Sequence, residues 1–549
     1  MGALKSIAES VRQSVADSVF EAKVLREAGV LGLHRPDKSA KVVSAFVRWG
    51  ASPALGITTA SIRYPAETAL IDERGSLSFE QLHRRSNALA HAFAAMGIGY
   101  GDGIGIMCRN HRGFIEVTLA AAKLGASALY LNTMFAGPQL VEVMDREGPK
   151  ALVYDEEFAD LLDGVDESVV RVIGWCDTEG PGSRTLDGLI ASHDDSNLKP
   201  PPDKPRFVIL TSGTTGTPKG AQRSSPDGLL AMAALIDKIP YRARETMVIA
   251  APLFHSWGFF HFVISLPTAA TIVLRRRFDE EETLRAVQEN RAQVLAVVPV
   301  MLQRILRLPE ETLERYDLSS LRITSLSGSA LPGELAIEWM DRFGDTIYNL
   351  YGSTEVAYAT VATPADLRAA PGTAGRPPRG TVVRLYDEAG GEVPQGEVGR
   401  IFVGNEMSFE GYTGGGGKEA IDGLLSSGDV GHIDEAGRLF IDGRDDEMIV
   451  SGGENVFPRE VEDLLADHGA VVEVAVIGVD DEEFGQRLKA FVVTAEEADV
   501  SEGELKAHIK ANLAAYKAPR EIEFLDELPR NASGKILKRE LHAREAQKS

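Results

Sequence analysis

Cysteine is nearly missing from this chain. Only Cys108 and Cys176 occur in 549 residues. That excludes a disulfide framework and a thiolate metal site, and it fits a reducing cytoplasmic location. Positive charge is short as well: 58 Lys and Arg stand against 81 Asp and Glu, for a net charge of −23. No broad cationic surface is expected, so nucleic acid is a poor partner. An anionic small molecule is not excluded, because a few local cations suffice for one. The 11 histidines show no H-E-x-x-H spacing. Long apolar runs are lacking too. The nearest, "WGFFHFVISLPTAATIVL" from Trp257 to Leu274, is interrupted by His261 and Pro267. It reads as a buried helix, a proline break and a buried strand. The first residues have no continuous apolar core, so no secretory leader is expected.

The length exceeds what one hydrophobic core supports, and two to four domains are expected. Residues 1–60 read as an N-terminal helical extension, with Leu4, Ile7, Val11, Val15 and Val19 on one helix face. From 61 to 443, apolar runs such as "GIGIMC", "ALVY", "FVIL" and "VLAVVP" alternate with helical stretches such as "SFEQLHRRSNALAHAFAAMG". That rhythm predicts an α/β fold with parallel sheets covered by helices. Hairpin spacing near 380–442 predicts an antiparallel β subdomain. Residues 444–549 read as a small α+β domain.

Six segments draw attention. "TSGTTGTPKG", Thr211 to Gly220, follows the apolar "RFVIL" and has the backbone N–H groups, hydroxyls and single ammonium of an anion nest. It fails the P-loop pattern: Pro218 and Ala221 stand where the second glycine should be. The others are "LSGSALP" (Leu326 to Pro332), "NLYGSTE" (Asn349 to Glu355), "SSGDVGHID" with Asp429, "GRDDEMIVSGGENVFPREVE" and "PRNASGKILKREL". Singly, each also fits a tight turn or a solvated surface.

In this order the segments resemble those of the adenylate-forming superfamily: acyl-CoA synthetases, firefly-type luciferases and peptide-synthetase adenylation domains. The resemblance runs from about residue 65 to the end and implies ATP, Mg2+ and CoA. By that resemblance Thr211, Ser212, Gly213, Thr214, Thr215, Gly216 and Lys219 cradle the departing phosphates. Glu355, with Thr211 nearby, holds magnesium. Thr354 contacts the α-phosphate, Gly328, Ser329, Ala330 and Tyr351 line the adenine, and Asn349 and Gly352 also belong to the ATP site. Asp429 and Arg444 take the ribose. Lys535 serves the carboxylate and α-phosphate, Asp446 is the hinge between large and small domains, and Gly452 and Gly453 leave room for the pantetheine arm of CoA.

His255 resembles the residue at the carboxylate entry; a satisfied core histidine is the alternative. The segment "APLFHSWGFF" has no acid to pair an amino group, which disfavours amino acids. Its apolar continuation and "VPVML" suggest an acyl tunnel and a fatty acid-CoA ligase. The alternatives are an aryl-CoA ligase, an acyl-AMP ligase loading a carrier protein, a luciferase-like oxygenase and, in another class, a non-catalytic ATP-binding protein. The sequence leaves open a homodimer and a peripheral membrane contact through the N-terminal helix.

Overall fold

The computed structural model describes residues 2–547 apart from 33–34, 178–183, 204–205, 212–218, 224–227, 408, 414, 416, 448, 452–453, 482–484, 496–497, 499, 514–516 and 532–533. The side chains of 2–14, 211, 219, 221–223, 446, 450–451, 454–455 and 485 also lie outside the description.

Two sheets form the body of the large domain. One runs Phe409–Tyr412, Lys219–Arg223, Phe207–Thr211, Ser127–Tyr130, Gly103–Met107, Ala151–Asp155, Val170–Trp175; its last five strands are parallel. The other runs Thr360–Ala362, Ile347–Tyr351, Ile323–Leu326, Val294–Val297, Thr246–Ile249, Thr271–Leu274, Thr68–Asp72, Gly75–Ser78, with antiparallel strands only at its edges. Val294–Val297 and Ile323–Leu326 are buried at every position. Helices cover both faces of such strands, which is why they read as unbroken apolar runs. The third sheet, built on Val382–Tyr386, Gly399–Gly404, Leu424–Ile433 and Leu439–Arg444, is antiparallel, as the hairpin spacing predicts.

The small domain packs the helices Pro458–Ala466 and Glu502–Asn512 on a five-stranded sheet. Lys489 is buried there and paired with Glu521, Glu523 and Glu545, which ties the last helix, Lys538–Ala546, to the sheet. The small domain docks on the helix Pro299–Leu306 and the residue after it: Gln303 and Arg307 both donate to the Val472 carbonyl, at 3.2 and 3.1 Å.

Three helices precede the first strand: α1 (Gly2–Glu27), α2 (Pro36–Trp49) and α3 (Pro53–Arg63). The described part of the expected apolar face of α1 does not pack on the body. Val15 and Val19 are exposed, whereas Val24, Leu25 and Ala28 are buried and Phe20 packs on the core. Arg379 fixes the helix by pairing with Asp17 and stacking over Phe20. Leu4, Ile7 and Val11 have side chains outside the description. Helix α3 crosses the expected boundary at residue 60. Ser52 caps it by accepting from Leu55 N, and Ala54, Ile57 and Ala60 are fully buried.

The stretch from Trp257 to Leu274 forms the helix Ser256–Thr268, with Pro267 in its last turn, and the strand Thr271–Leu274. Among the described residues no helix is long and apolar enough to cross a membrane.

Candidate active site

The candidate residues gather at strand ends. Strand Ile347–Tyr351 carries Asn349 and Tyr351 and leads into a tight loop. Gly352 is required there, since a Cβ would lie 2.3 Å from the Ala357 carbonyl oxygen. Ala357 adopts φ 61, and Asn405 donates to both the Val356 and Tyr358 carbonyls at 2.8 Å. The loop is thereby fixed with Thr354 and Glu355 half-buried.

Tyr412 Oη donates to Glu355 Oε1 at 2.7 Å. Burial would raise the Glu355 pKa, but the hydrogen bonds from Tyr412 and Ser353 and the charge of Lys418 outweigh it and hold the carboxyl below its ordinary range. An ionised carboxylate set among hydroxyls is a hard-cation donor and fits magnesium.

Tyr412 lies on the strand that pairs with Lys219–Arg223, the return strand of the Gly/Thr loop. Thr211 and Lys219 face each other across the loop's base. Ser212, Gly213, Thr214, Thr215 and Gly216 lie outside the described residues. Gly220 fits under Thr413, whose hydroxyl accepts from Gly220 N at 3.0 Å and donates to Glu147 at 2.6 Å. The segment from Phe409 to Thr413 therefore braces both the return strand of the Gly/Thr loop and Glu355.

Asp429 and Arg444 are direct partners across an antiparallel pair. Arg444 donates to Asp429 Oδ1 at 3.1 Å and Tyr351 Oη to Oδ2 at 2.5 Å. Burial and the Asp429 charge push the Tyr351 phenol pKa up, so Tyr351 remains a donor. Gly328 has φ +97 and lies with Ser329 and Ala330 in an accessible loop against Val298.

The Lys535 hairpin reaches the same wall. It is closed by Asn531, whose Oδ1 accepts from Lys535 N at 2.9 Å, and turns at Gly534 with φ +78. A Cβ on Gly534 would lie 2.3 Å from Val300 Cγ1 and 3.7 Å from Val298 Cγ2. Val298 thus lies close to both Gly328 and Gly534, and Lys535, exposed, follows Gly534 beside the Gly328 loop. Asp446 belongs to the 3-10 turn Asp445–Glu447, where Arg400 pairs with Asp445; its own side chain and Gly452 and Gly453 lie outside the described residues.

His255 and His261 differ. His261 is fully buried; it donates from Nδ1 to the Trp257 carbonyl and accepts at Nε2 from Tyr241. His255 Nε2 is buried without a partner, and so is Asn349 Oδ1. Burial lowers both histidine pKa values to about 4, so both rings are neutral.

Outside this site Cys108, His111 and Asp155 cluster deep in the core. Both His111 nitrogens are engaged, Nε2 with Asp155 and Nδ1 with Gly113 N, so the ring has no lone pair for a metal. Sequence reasoning passed over Tyr412 and Asn405, and it read Val298 and Val300 only as part of an apolar acyl tunnel. Of the first two, only Tyr412 had a signal, an aromatic immediately before a glycine-rich turn.

A two-sheet α/β body, an antiparallel subdomain and a small domain docked at the strand ends define the adenylate-forming fold. The chain belongs to the AMP-binding enzyme family: that family's profile matches residues 58–413, and the profile of the AMP-binding enzyme C-terminal domain matches 460–535. It is 33% identical over 496 residues to an indoleacetate-CoA ligase of Aromatoleum aromaticum, covering 88% of this chain and 96% of that one. It is 31% identical to the fatty acid-[acyl-carrier-protein] ligase ScoC of Streptomyces coeruleorubidus, over 87% and 94% of the two chains. The structure of o-succinylbenzoate CoA synthetase from Bacillus subtilis, in complex with its acyl-adenylate intermediate, superposes with a TM-score of 0.77 at 27% identity, covering 88% and 97%. The chain is thus a member of the AMP-forming acyl- and aryl-CoA ligases.

Proposed function

We propose that this protein is an ATP- and Mg2+-dependent fatty acid-CoA ligase of the cytosol, acting on medium to long chains. The observation that carries the adenylation reading is the seating of the Lys535 hairpin against Val300, beside the Gly328 loop. In that arrangement a carboxylate oxygen attacks the α-phosphorus of ATP, pyrophosphate leaves, and an acyl-AMP remains. The thiol of CoA then attacks the carbonyl and AMP departs.

Lys535 and Thr354 steady the charge that develops on the carboxylate and α-phosphate. Thr211, Lys219 and the loop between them receive the pyrophosphate. Asp429 and Arg444 hold the ribose. Magnesium, held by Glu355 with Thr211 nearby, would neutralise phosphate charge. Asp446 is the pivot, and Gly452 and Gly453 open the way for the thiol. The neutral His255, with its orphan Nε2, faces the acid's entry.

The fatty-acid reading is supported by the apolar helix Ser256–Thr268, in which Trp257, Phe259, Phe262, Ile264 and Leu266 are all buried. A second reading, an aryl acid, is favoured by one observation: Trp257 and Phe260 stack in that helix with their rings 7° from parallel. Such a pair offers a flat aromatic wall.

The test is turnover on a panel of acids with Mg-ATP, with and without CoA. Each methylene buried contributes about 0.8 kcal/mol, so kcat/KM should climb several-fold per carbon and then level off. Equal activity on acetate and dodecanoate would sink the fatty-acid reading. Indole-3-acetate outrunning every fatty acid selects the aryl reading, and acyl transfer only to a carrier protein selects a carrier ligase.

A further inference from the structure

We propose that α2 is the element by which this protein rests on an anionic lipid surface. The AMP-binding family profile begins at residue 58, so nothing in the family match assigns a task to this helix.

Helix α2 has two unlike faces. Ala45 is buried toward the body, where α2 packs on α3. Lys38 reinforces that packing by donating to the Arg63 carbonyl at 2.7 Å. The opposite face is apolar and uncovered: Val43 is 63% exposed, Phe46 49% and Val47 79%. With Ala40 they fall at helical spacings of three and four, a continuous stripe. Lys41 and Arg48, seven residues apart and nearer the Ala45 side than the stripe, are exposed and have no ion-pair partner among the described residues.

Charge decides the occupant. The chain carries −23 overall, yet α2 exposes the two cations Lys41 and Arg48 against the single acid Asp37. Asp37 is itself paired with Arg35 at 3.3 Å. An apolar stripe on a surface helix that also exposes cations suits the headgroup boundary of an anionic bilayer. A second copy of the chain is a weaker fit. A 14-residue helix is about 21 Å long and about 10 Å wide, so its face offers about 200 Å2. A stable dimer needs about 800 Å2 from each partner. Shallow insertion of one stripe needs no such area.

The position of α2 gives the contact a purpose, and this part rests on the fatty-acid reading above. Helix α3 lies against the helix Ser256–Thr268, close enough that a Cβ on Gly56 would sit 2.6 Å from Leu266 Cβ. Arg63 also donates to the Pro267 carbonyl at 3.0 Å. The exposed stripe is therefore joined, through α3, to the last turn of the helix that carries the acyl wall. A substrate that partitions into lipid would be met at its source.

The experiment uses the full chain and vesicles of phosphatidylcholine with or without phosphatidylglycerol, read by co-sedimentation. The protein should bind the mixed vesicles, lose binding at 0.5 M salt, and ignore pure phosphatidylcholine. Val43→Ser with Val47→Ser, and separately Lys41→Glu with Arg48→Glu, should each weaken binding about ten-fold or more. Both variants should keep wild-type turnover on a soluble short acid, which reports folding and keeps this outcome separate from the choice of substrate. Absent binding to mixed vesicles, or binding unchanged in both variants, overturns the proposal. So does a change of sedimentation coefficient in the Val43→Ser/Val47→Ser protein, which would assign the stripe to a second copy.

Discussion

At the scale of single residues, Tyr412 best shows how the site is tuned. Its hydroxyl occupies Glu355 Oε1 and helps hold that carboxyl ionised against burial. A hydrogen bond to a charged group contributes about 1.5–3 kcal/mol. Tyr412→Phe should therefore raise the magnesium needed for half-maximal pyrophosphate exchange about ten-fold. The sign for pH follows. A lowered carboxyl pKa keeps Glu355 charged until the medium is quite acidic, and losing the donor raises that pKa. The acid limb of the exchange profile should move to higher pH in the variant; a limb that stays put would reduce Tyr412 to packing. This residue was hidden from sequence reasoning because its partner is 57 positions away and only strand pairing brings the two together. Glu355 was legible because it sits in a short turn of small residues; Asp429, marked by its glycine neighbour and expected in a turn, lies instead inside the strand Leu424–Ile433, where pairing with Arg444 holds it. Their contacts to Tyr351, Arg444 and Tyr412 were not legible, because register lies beyond any local pattern.

At the scale of elements, the helix Ser256–Thr268 separates two histidines that one sequence run cannot tell apart. His261 is satisfied on both nitrogens within the core, and its pKa falls to about 4 from an ordinary 6.5. Between those values the unfolded chain holds more proton than the folded one. Stability should thus be full above about pH 6.5 and fall as pH drops toward about 4, by up to about 1.4 kcal/mol per unit for this group. Urea midpoints at pH 7.5 and 5.5 check it: His261→Gln should lose about 1 kcal/mol less on acidification than wild type, and equal losses would assign the acid sensitivity elsewhere. The α/β alternation and the antiparallel subdomain were readable from periodicity, since strand burial dictates it. The N-terminal helices were readable only as helices. The face of α1 carrying Val15 and Val19 is open to solvent, while Phe20, Val24 and Leu25 are the side chains that pack. A periodic stripe tells which residues share a face, not whether anything covers it.

At the scale of the whole molecule, the proposed function makes the contact between the Lys535 hairpin and Val300 the element that selects the half-reaction, and variants test it. Lys535→Ala should cost adenylation about 3 kcal/mol or more of transition-state stabilisation and leave thioester formation from supplied acyl-AMP intact. Gly534→Ala should do the same more mildly: the backbone stands at φ +78 and the new methyl would meet Val300 at 2.3 Å. Val300→Ala in that background should restore part of the exchange rate by clearing the methyl's space. An unrescued double variant, or an equal loss in both half-reactions, would mean the docking contact does not select the adenylation state. The strand Leu439–Arg444 ends where the turn Asp445–Glu447 begins. A swing of the small domain about that turn leaves Arg444 and Asp429 on the stationary side. On the proposed function the sugar end of the nucleotide is then a fixed axle: different parts of the small domain would take turns at the acyl end, and AMP need not be released and recaptured between the two half-reactions.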